Sequence, residues 1–388
     1  MDITIQPQLL SGEVTVIPSK SMAHRLLICA ALADNPTQLI LSETSRDVDA
    51  TIQCLRALGA EIHYTQSGIT IIPIKDCEPS AMLPCEESGT TLRFLLPIVG
   101  VLGVDATFYM EGRLPYRPLS PLWEEMERMG CVLCRPKENI IHCTGKLRSG
   151  AYSIDGSVSS QFISGLLFAL SLLPGSTLQI TGKTESTPYI AMTKAAMEAF
   201  CAPEYHTPGS ITVEGDWSNG AFWVAANALG SRLTITGLSK TSIQGDRIID
   251  DLLALLKKGC STISASDTPD LIPILSVVAA ANHGAVFTNI QRLRLKESDR
   301  VQAILSMIRS LGGRADATAD TLTVYGTGLT GGTVDSYHDH RIAMSAAIAA
   351  TICRQPVTIL RAECVNKSYP KFWEEYARLG GNYGQFLR

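Results

Sequence analysis

Two kinds of helix alternate along the chain, and they differ in how hydrophobic and polar positions are arranged. The first kind opens on a turn and a charged or polar start, continues with apolar residues at helical spacing, and leads through a small residue into a β-rich run. The pattern predicts six surface helices. They are found in RDVDATIQCLRALGAEI from Arg46, RPLSPLWEEMERMGCVL from Arg117, TPYIAMTKAAMEAF from Thr187, QGDRIIDDLLALLKKG from Gln244, KESDRVQAILSMIRSLGGRA from Lys296 and SYPKFWEEYARLGG from Ser368.

The second kind of helix is apolar on nearly every side and rich in Ala and other small residues. A helix of this kind must be buried. Six stretches have the pattern: SMAHRLLICAALA, SGTTLRFLLPIVGVLG, SSQFISGLLFALSLL, NGAFWVAANALG, DLIPILSVVAAANHG and DHRIAMSAAIAATIC. Each repeat therefore offers one buried helix, one surface helix and intervening strands such as LTITGL, AVFTNI and TLTVYG.

Repetition of one α/β unit points to a body built by stacking copies. VIPSKSMAHRLLICAAL near the start resembles VEGDWSNGAFWVAANAL from Val213, halfway along the chain. We therefore expect two similar domains, with the chain crossing between them near Pro18 and Gly215. The predicted bounds are 19–215 for the first domain, and 1–18 plus 216–388 for the second.

Composition narrows the functional classes. The chain has 388 residues, of which 45% are hydrophobic, and a net charge of -4, so no basic surface for nucleic acid or anionic membranes is expected. The longest apolar helix candidate, LLFALSLL from Leu166, is well short of the roughly 20 residues needed to span a bilayer. With no basic-then-apolar segment at the start, we expect a soluble, cytoplasmic protein.

Metal and nucleotide signatures are weak. The 11 cysteines are an odd number, which favours reduced thiols, and the CxxC of Cys131 and Cys134 has no second pair. His338 and His340 in HDH lack further ligands at suitable spacing. We identify no GxxxxGK[ST] phosphate loop and no GxGxxG dinucleotide fingerprint. We expect neither a metal ion nor a nucleotide cofactor.

Charge is instead concentrated in short stretches. RLRLKESDR, Arg292 to Arg300, has six charged side chains in nine residues, in a chain where charged residues are 18% of the total. Such a stretch is either a solvated helix start or a site for anions. Helix N-termini favour anions through their free N–H groups and dipole.

Other predicted helix starts are polar as well. PSKSMAHR contains two cations and Ser21, a plausible N-cap, while GSVSSQF has three short hydrogen-bonding side chains. ESGTTLR has a glycine that allows close approach of a ligand. LPYRP, SYHDHR and VNKSYP each place a cation just before or at a helix start. Each stretch in isolation is also explained by ordinary capping or a turn, but the six starts together predict one shared anion-binding cleft.

The motifs SKSMAHR, ESGTTLR, RLPYRP, SSQ, ESTPY, SIQGD, LKESDR, DHRIAM and NKSYP, in this order from Pro18 to Pro370, resemble those of the EPSP synthase family. The resemblance implies an α/β fold with two similar domains, each made of three βαβαββ-like units with buried parallel helices. This is the inside-out α/β barrel of enolpyruvyl transferases, whose domains close over a ligand cleft.

The resemblance also implies a reaction. The enolpyruvyl group of phosphoenolpyruvate would be transferred to the 5-hydroxyl of shikimate 3-phosphate, with release of phosphate, in the shikimate pathway to chorismate and the aromatic amino acids. No metal or organic cofactor is expected. The first domain would be the shikimate 3-phosphate side, and the second the phosphoenolpyruvate and proton-transfer side.

Site residues follow from the matching positions. The shikimate 3-phosphate set is Lys20, Ser21, Arg25, Ser159, Ser160 and Ser186, with Gln161 and Tyr189 bordering the ring and pyruvyl region. The phosphoenolpyruvate set is Gly89, Arg117, Arg300, Arg341 and Lys367, with Lys20 shared by both substrates. Such a group of cations suits a ligand that carries both phosphate and carboxylate. Gly89 is the small residue associated with glyphosate sensitivity, so inhibition competitive with phosphoenolpyruvate is expected.

Three residues are implied in catalysis. Asp270 is expected to be the base near the 5-hydroxyl, and Glu297 the acid/base at the methyl carbon, assisted by Lys296. Asp299 is expected to orient its neighbours. Glu87 and Arg292 depart from residues common in the family, so neither is included in the binding sets.

Two other functions remain open at this stage. A related enolpyruvyl transferase acts on UDP-N-acetylglucosamine with a reactive Cys, but the corresponding region here, EGRLPYRP, contains Arg117 and no Cys. A non-catalytic anion-binding homologue would not need Asp270, Lys296 and Glu297 together. No heptad or aromatic stripe indicates a partner surface, so we expect a monomer.

Overall fold

The computed structural model describes residues 1–386, which divide into two compact units. Unit A is Pro18–Glu214. Unit B is Met1–Ile17 together with the chain from Gly215 onward. The chain thus passes from one unit to the other at Ile17/Pro18 and again at Glu214/Gly215.

The helices come in pairs along the chain. They are α1 (Lys20–Ala31), α2 (Arg46–Ala57), α3 (Gly89–Leu102), α4 (Leu122–Arg128), α5 (Ser160–Ser171), α6 (Thr187–Ala199), α7 (Trp217–Ala228), α8 (Ile249–Lys258), α9 (Ile272–Ala281), α10 (Arg300–Ser310), α11 (His340–Ala350) and α12 (Phe372–Arg378). All six apolar stretches form odd-numbered helices, and all six amphipathic stretches form even-numbered ones. Both predictions are confirmed.

The strands are β1 (Asp2–Gln6), β2 (Ser11–Thr15), β3 (Thr37–Ile40), β4 (Glu61–Thr65), β5 (Gly68–Ile72), β6 (Ser80–Glu86), β7 (Asp105–Met110), β8 (Cys131–Lys137), β9 (Ile140–Gly145), β10 (Ala151–Asp155), β11 (Thr177–Thr181), β12 (Ser210–Thr212), β13 (Arg232–Thr236), β14 (Ser261–Ser264), β15 (Ala285–Thr288), β16 (Arg314–Ala317), β17 (Thr321–Tyr325), β18 (Gly332–Asp335), β19 (Val357–Leu360) and β20 (Asn382–Phe386).

The odd-numbered helices form the interior of each unit. In unit B, α7, α9 and α11 pack against one another, and every residue of α9 from Ile272 to Ala280 is buried. In unit A, α3 packs along α5, while α1 packs against α2 and α6. Burial on all sides explains why these sequences show no polar face. The even-numbered helices expose most of their charged residues, with Asp47, Glu125 and Arg300 as buried exceptions.

Four sheets share one strand order. These are β12-β3-β5-β4 and β6-β7-β9-β8 in unit A, and β14-β15-β17-β16 and β18-β19-β1-β20 in unit B. In each, a parallel pair is followed by two antiparallel neighbours, as in β6 with β7, β7 with β9, and β9 with β8. The third repeat of each unit differs: β10-β11 and β2-β13 are two-stranded parallel sheets among the described residues.

Three local expectations need correction. Ser21 is not an N-cap: α1 already begins at Lys20, and Ser19 is the capping residue, with its side chain accepting from Met22 N. Arg117 and Lys367 do not begin α-helices, because each closes a short 3-10 helix, Leu114–Tyr116 and Ala362–Lys367. GTGLTG at 326–331 has GxGxxG spacing but connects β17 to β18, so it does not open a helix.

No helix within residues 1–386 is both long and apolar enough to cross a membrane.

Candidate functional site

In unit B, the three residues implied in catalysis lie immediately before helix starts. Asp270 stands two residues before α9, and Lys296 and Glu297 stand just before α10. Lys296 Nζ lies 3.9 Å from Asp270 Oδ1. The segments before α9 and α10, the buried and the surface helix of one repeat, therefore bring a carboxylate close to an ammonium.

Arg300 is the centre of this cluster. Its side chain is 1% exposed and donates to three carboxylates: Nη1 to Asp270 at 2.6 Å, Nη2 to Glu297 at 2.6 Å, and Nε to Asp339 at 2.8 Å. Arg341 donates to the other Asp270 oxygen at 3.0 Å. A planar guanidinium with donors on each edge is suited to holding several carboxylates at fixed angles.

These contacts set the protonation behaviour of the cluster. Burial by itself would raise the pKa of Asp270, but the charges of Arg341, Lys296 and Arg300 hold it well below its usual range. Burial lowers the pKa of Lys296 to about 8, against the opposing effect of the Asp270 carboxylate. At neutral pH, Asp270 is therefore ionised and Lys296 is near its titration point.

A further buried carboxyl belongs to the SIQGD motif. Asp246 is buried and accepts a hydrogen bond from the hydroxyl of Ser218. Burial raises its pKa to about 7, and the nearby negative charge of Asp270 acts in the same direction. The adjacent Gln244 donates to Gly215 O at 2.8 Å and accepts from Trp217 N at 3.1 Å, which fixes the entry to α7.

In unit A, the two cations of SKSMAHR have different surroundings. Lys20 Nζ donates to Asp47 Oδ2 at 2.9 Å. Arg25 is 2% exposed and donates to neutral groups: Thr193 Oγ1 at 2.8 Å, Tyr189 O at 2.8 Å and Ser21 O at 2.6 Å. Without a carboxylate partner, burial lowers the pKa of Arg25 to about 10.

Gly89 is the first residue of α3 and lies between two guanidinium groups. A Cβ added at this position would come within 2.8 Å of Arg117 Nη1 and 2.9 Å of Arg93 Nη1. Only the absence of a side chain allows both cations to approach the start of α3. The structure thus brings Arg117 to Gly89, as the matched set implies, and adds Arg93.

Gln161 is held by the same region. Its amide oxygen accepts from Arg93 Nη1 at 2.8 Å, and its amide nitrogen donates to Thr90 Oγ1 at 2.8 Å. Ser159 caps α5, and Ser160 and Gln161 form its first turn. Ser186 occupies the N-cap position of α6 with φ 55°, with Tyr189 in the first turn.

A buried chain of hydrogen bonds joins α1 and α2 to the start of α3 in unit A. His24 Nδ1 is 2.7 Å from Thr51 Oγ1, which is 2.6 Å from Thr91 Oγ1, and that hydroxyl donates to Ser88, the cap of α3, at 2.7 Å. Burial lowers the pKa of His24 to about 3, so the ring is neutral. The chain ties the position of Gly89 to α1, which carries Lys20.

Sequence reasoning missed several residues of this site. Asp339 caps α11 and accepts from Arg300 and Ser298, yet it was noted only as part of HDH. Arg93 is the only charged residue in α3, and that isolation within an apolar helix was its signal. Asp47, the partner of Lys20, lies within an ordinary amphipathic pattern and had no signal.

Within residues 1–386, no cluster of three or more His, Cys, Asp or Glu side chains has an arrangement that would hold a metal ion.

Comparisons with known proteins define the class first. Two solved structures of EPSP synthase from Acinetobacter baumannii match the fold, with TM-scores of 0.76 and 0.78 at 22% identity; they cover 99% and 100% of this chain and 100% of their own chains. The chain thus has the two-domain, inside-out α/β fold of enolpyruvyl transferases.

Sequence comparison then shows the family. The family described as EPSP synthase (3-phosphoshikimate 1-carboxyvinyltransferase) matches residues 5–376. The 3-phosphoshikimate 1-carboxyvinyltransferases of Clostridium kluyveri and Clostridium acetobutylicum are 37% and 36% identical, over 99% and 98% of this chain and 98% and 97% of the relatives. This chain belongs to the EPSP synthase family. The first alignment runs over 424 positions although the chain has 388 residues, so that relative contains segments that are absent here.

Proposed function

We propose that the protein transfers the enolpyruvyl group of phosphoenolpyruvate to the 5-hydroxyl of shikimate 3-phosphate, giving 5-enolpyruvylshikimate 3-phosphate and phosphate. Family membership supports the reaction. The observation that carries the proposal is the cluster of Asp270, Lys296 and Glu297 around Arg300, because an anion-binding protein without catalysis has no need for proton-handling groups at this position.

The reaction has two proton-coupled steps. In the first, the 5-hydroxyl oxygen adds to C2 of phosphoenolpyruvate, the hydroxyl loses its proton and C3 gains one. In the second, C3 returns a proton, the C2–O bond to phosphate breaks and phosphate leaves. We assign Asp270 as the acceptor of the hydroxyl proton and Glu297 as the group that gives and takes back the C3 proton, with the Lys296 ammonium assisting.

The contacts of Asp270 make the basicity of its carboxylate depend on whether substrate is bound. Arg300 and Arg341 hold Asp270 in its ionised form, which makes it a weak base in the ligand-free protein. Phosphoenolpyruvate offers a phosphate and a carboxylate to the same cations. Sharing them with the ligand weakens their hold on Asp270 and makes its carboxylate more basic when the substrate is bound.

We assign the two substrates to the two matched residue sets. Shikimate 3-phosphate is assigned to Lys20, Ser21, Arg25, Ser159, Ser160, Gln161, Ser186 and Tyr189 in unit A. Phosphoenolpyruvate is assigned to Gly89, Arg117, Arg300, Arg341 and Lys367, with Lys20 contributing to both. The uncompensated charge of the buried Arg25 supports the assignment of a phosphate to unit A.

The experiment is an assay of phosphate release from purified protein with phosphoenolpyruvate and one of two acceptors, shikimate 3-phosphate or UDP-N-acetylglucosamine, in the presence of EDTA. We expect release with shikimate 3-phosphate alone, because the EGRLPYRP region lacks the reactive Cys of the other transferase. Release with UDP-N-acetylglucosamine alone, or with neither acceptor, contradicts the proposal. Asp270→Asn should reduce kcat by about 10²–10⁴-fold.

A further inference from the structure

The third repeat of each unit lacks two strands that the other repeats have. In the four-stranded sheets, the strand that follows the buried helix is interior: β3, β7, β15 and β19 each pair on both sides. Their equivalents β11 and β13 pair on one side only within the described chain. After α6 and α8, the chain reaches β12 and β14 without forming a hairpin. In these two repeats, the strand that is interior in a complete sheet, β11 or β13, therefore lies at the edge of its sheet.

The absence of the hairpin also leaves a groove in unit A. In a complete repeat, the buried helix packs against the third strand, as α3 does against β9. The corresponding helix α5 has no such strand. An open groove of about 710 Å³ lies instead between α5 and α6, lined by Leu167, Leu170, Leu173, Met197, Lys194 and Glu198 among others.

The bare edge of β11 has none of the usual protection against pairing. Its sequence TLQIT contains no charge and no proline, and Ile180 is 38% exposed. In three of the four complete sheets the outer strand, β4, β8 or β16, contains charged residues, whereas β20 of the fourth does not. Natural edge strands are protected by charge, proline, bulges or a cover, so an unprotected one indicates a partner.

The geometry of β11 selects the partner. Thr177 N donates to Gly150 O and Thr181 O accepts from Gly156 N, so the odd-numbered residues bond to β10. By alternation, the N–H and C=O groups of Leu178 and Ile180 point to the bare edge. An identical strand in antiparallel orientation, with Gln179 on the twofold axis, pairs Leu178 with Ile180 in both directions.

We propose that β11 is a self-association surface, through which two copies of this chain form a symmetric dimer with a continuous β10-β11-β11-β10 sheet. This restores the strand count of the complete sheets. Lys194 and Glu198 on the groove wall are opposite in charge, so a twofold axis can bring each toward the other's equivalent. The sequence predicted a monomer because it contains no heptad or aromatic stripe. An unpaired strand edge has neither of these sequence patterns, so that criterion does not detect it.

The equivalent surface in unit B is less suited to this pairing. β13 begins with Arg232, and the groove between α7 and α8, of about 480 Å³, is lined by Asn227, Asp250 and Lys257 along with apolar residues. Charge on the edge strand is the usual protection against strand addition, and β11 has none. The proposal therefore concerns β11 alone.

The test is sedimentation velocity of the full chain over a range of micromolar concentrations. We expect a species of twice the 41.8 kDa chain mass. Ile180→Pro removes an N–H that points to the bare edge and leaves the β10 ladder intact, so it should raise the dimer dissociation constant at least tenfold with activity unchanged. Ile180→Lys should do the same by placing charge at the edge. Met82→Lys, at an exposed apolar position of β6, is the matched control and should leave the dimer intact.

Residue-resolved amide exchange gives a second readout. The amides of Leu178 and Ile180 should become protected as concentration rises, whereas the Gln179 amide should be protected throughout. A monomer at every concentration overturns the proposal, and so does a dimer that survives both Ile180 variants. If Ile180→Pro loses its fold by circular dichroism, the result with Ile180→Lys decides.

Discussion

The two units treat buried arginine in opposite ways. In unit B, Arg300 meets three carboxylates; burial alone would lower its pKa, but Asp339, Glu297 and Asp270 raise it well above its ordinary value. In unit A, Arg25 is equally buried but its hydrogen bonds go to a hydroxyl and two carbonyl groups, with the Phe94 ring beside it, and burial lowers its pKa to about 10. In unit B, the charge of Arg300 is balanced by carboxylates of the protein. In unit A, the charge of Arg25 is not balanced by a carboxylate and can interact with an anionic ligand.

This difference separates two chemical tasks. A cation without a carboxylate partner gains most from an anionic ligand, which suits phosphate binding. A cation shared among carboxylates fixes their positions and protonation states, which suits proton transfer. The contrast is therefore consistent with a binding role for unit A and a proton-transfer role for unit B.

The largest expected effect is on the proposed acid/base. Glu297→Gln keeps the size of the side chain and an oxygen that can accept from Arg300, but it removes the carboxyl group that can gain and lose a proton. We expect kcat to fall about 10³-fold with little change in fold, measured by steady-state phosphate release and circular dichroism.

Asp299→Asn is the matched control for Glu297. Asp299 lies two residues away and caps α10 by accepting from Gln302 N, a role that Asn also performs. Its kcat should stay within a few-fold of the wild type. Equal losses in the two variants would contradict a chemical role for Glu297.

The next largest effect concerns stability and tests the comparison directly. Arg300→Met leaves three carboxylates without their shared cation and should lower the free energy of unfolding by about 3–5 kcal/mol. Arg25→Met leaves only neutral acceptors unsatisfied, at a cost of about 1–3 kcal/mol. Urea denaturation of both variants measures the difference. A greater loss for Arg25→Met would show that the proposed contrast between the units is wrong.

A pH profile sharpens the role of Lys296. Because burial lowers its pKa to about 8, the ammonium form is present below pH 8 and is lost above it. If that form assists the reaction, kcat/KM should fall about tenfold per pH unit above 8. Lys296→Arg retains its charge to much higher pH, so this alkaline decrease should move upward. A decrease that stays at the same pH in the variant assigns it to another group.

The smallest expected effect is at Gly89. Gly89→Ala places a methyl group within 3 Å of both Arg117 and Arg93, so at least one guanidinium must shift. We expect KM for phosphoenolpyruvate to rise about tenfold, the effect of roughly one weakened charged hydrogen bond, with weaker competitive inhibition by glyphosate. KM for shikimate 3-phosphate should change less, and an equal rise for both substrates would indicate a general distortion of unit A.

Much of the fold was predictable because its signal is local. The difference between all-apolar and amphipathic helices follows directly from burial, and all twelve α-helices within residues 1–386 lie where the patterns predicted. The two missing hairpins were less visible. Only strand pairing shows that β11 has become an edge.

The sequence predicted which residues belong to the candidate site better than it predicted which side chains contact one another there. Polar residues at helix starts, and the motifs they form, identified Lys20, Gly89, Asp270 and Glu297 as candidates. Partners such as Asp47 and Asp339 were not selected, because capping and surface positions supply identical residue types for other reasons. The predicted N-cap of α1, Ser21, was also wrong by two residues, because Ser19 caps the helix.

The sequence by itself determined the alternation of buried and surface helices, the repeat and the family, because each depends on residue types at short, regular spacing. Only the tertiary structure decided which charges meet. Asp270 and Arg341 are 71 residues apart in the chain, yet their side chains are 3.0 Å apart. The surroundings that the fold gives each buried arginine, rather than residue type, pair Arg300 with three carboxylates and leave Arg25 without a carboxylate partner.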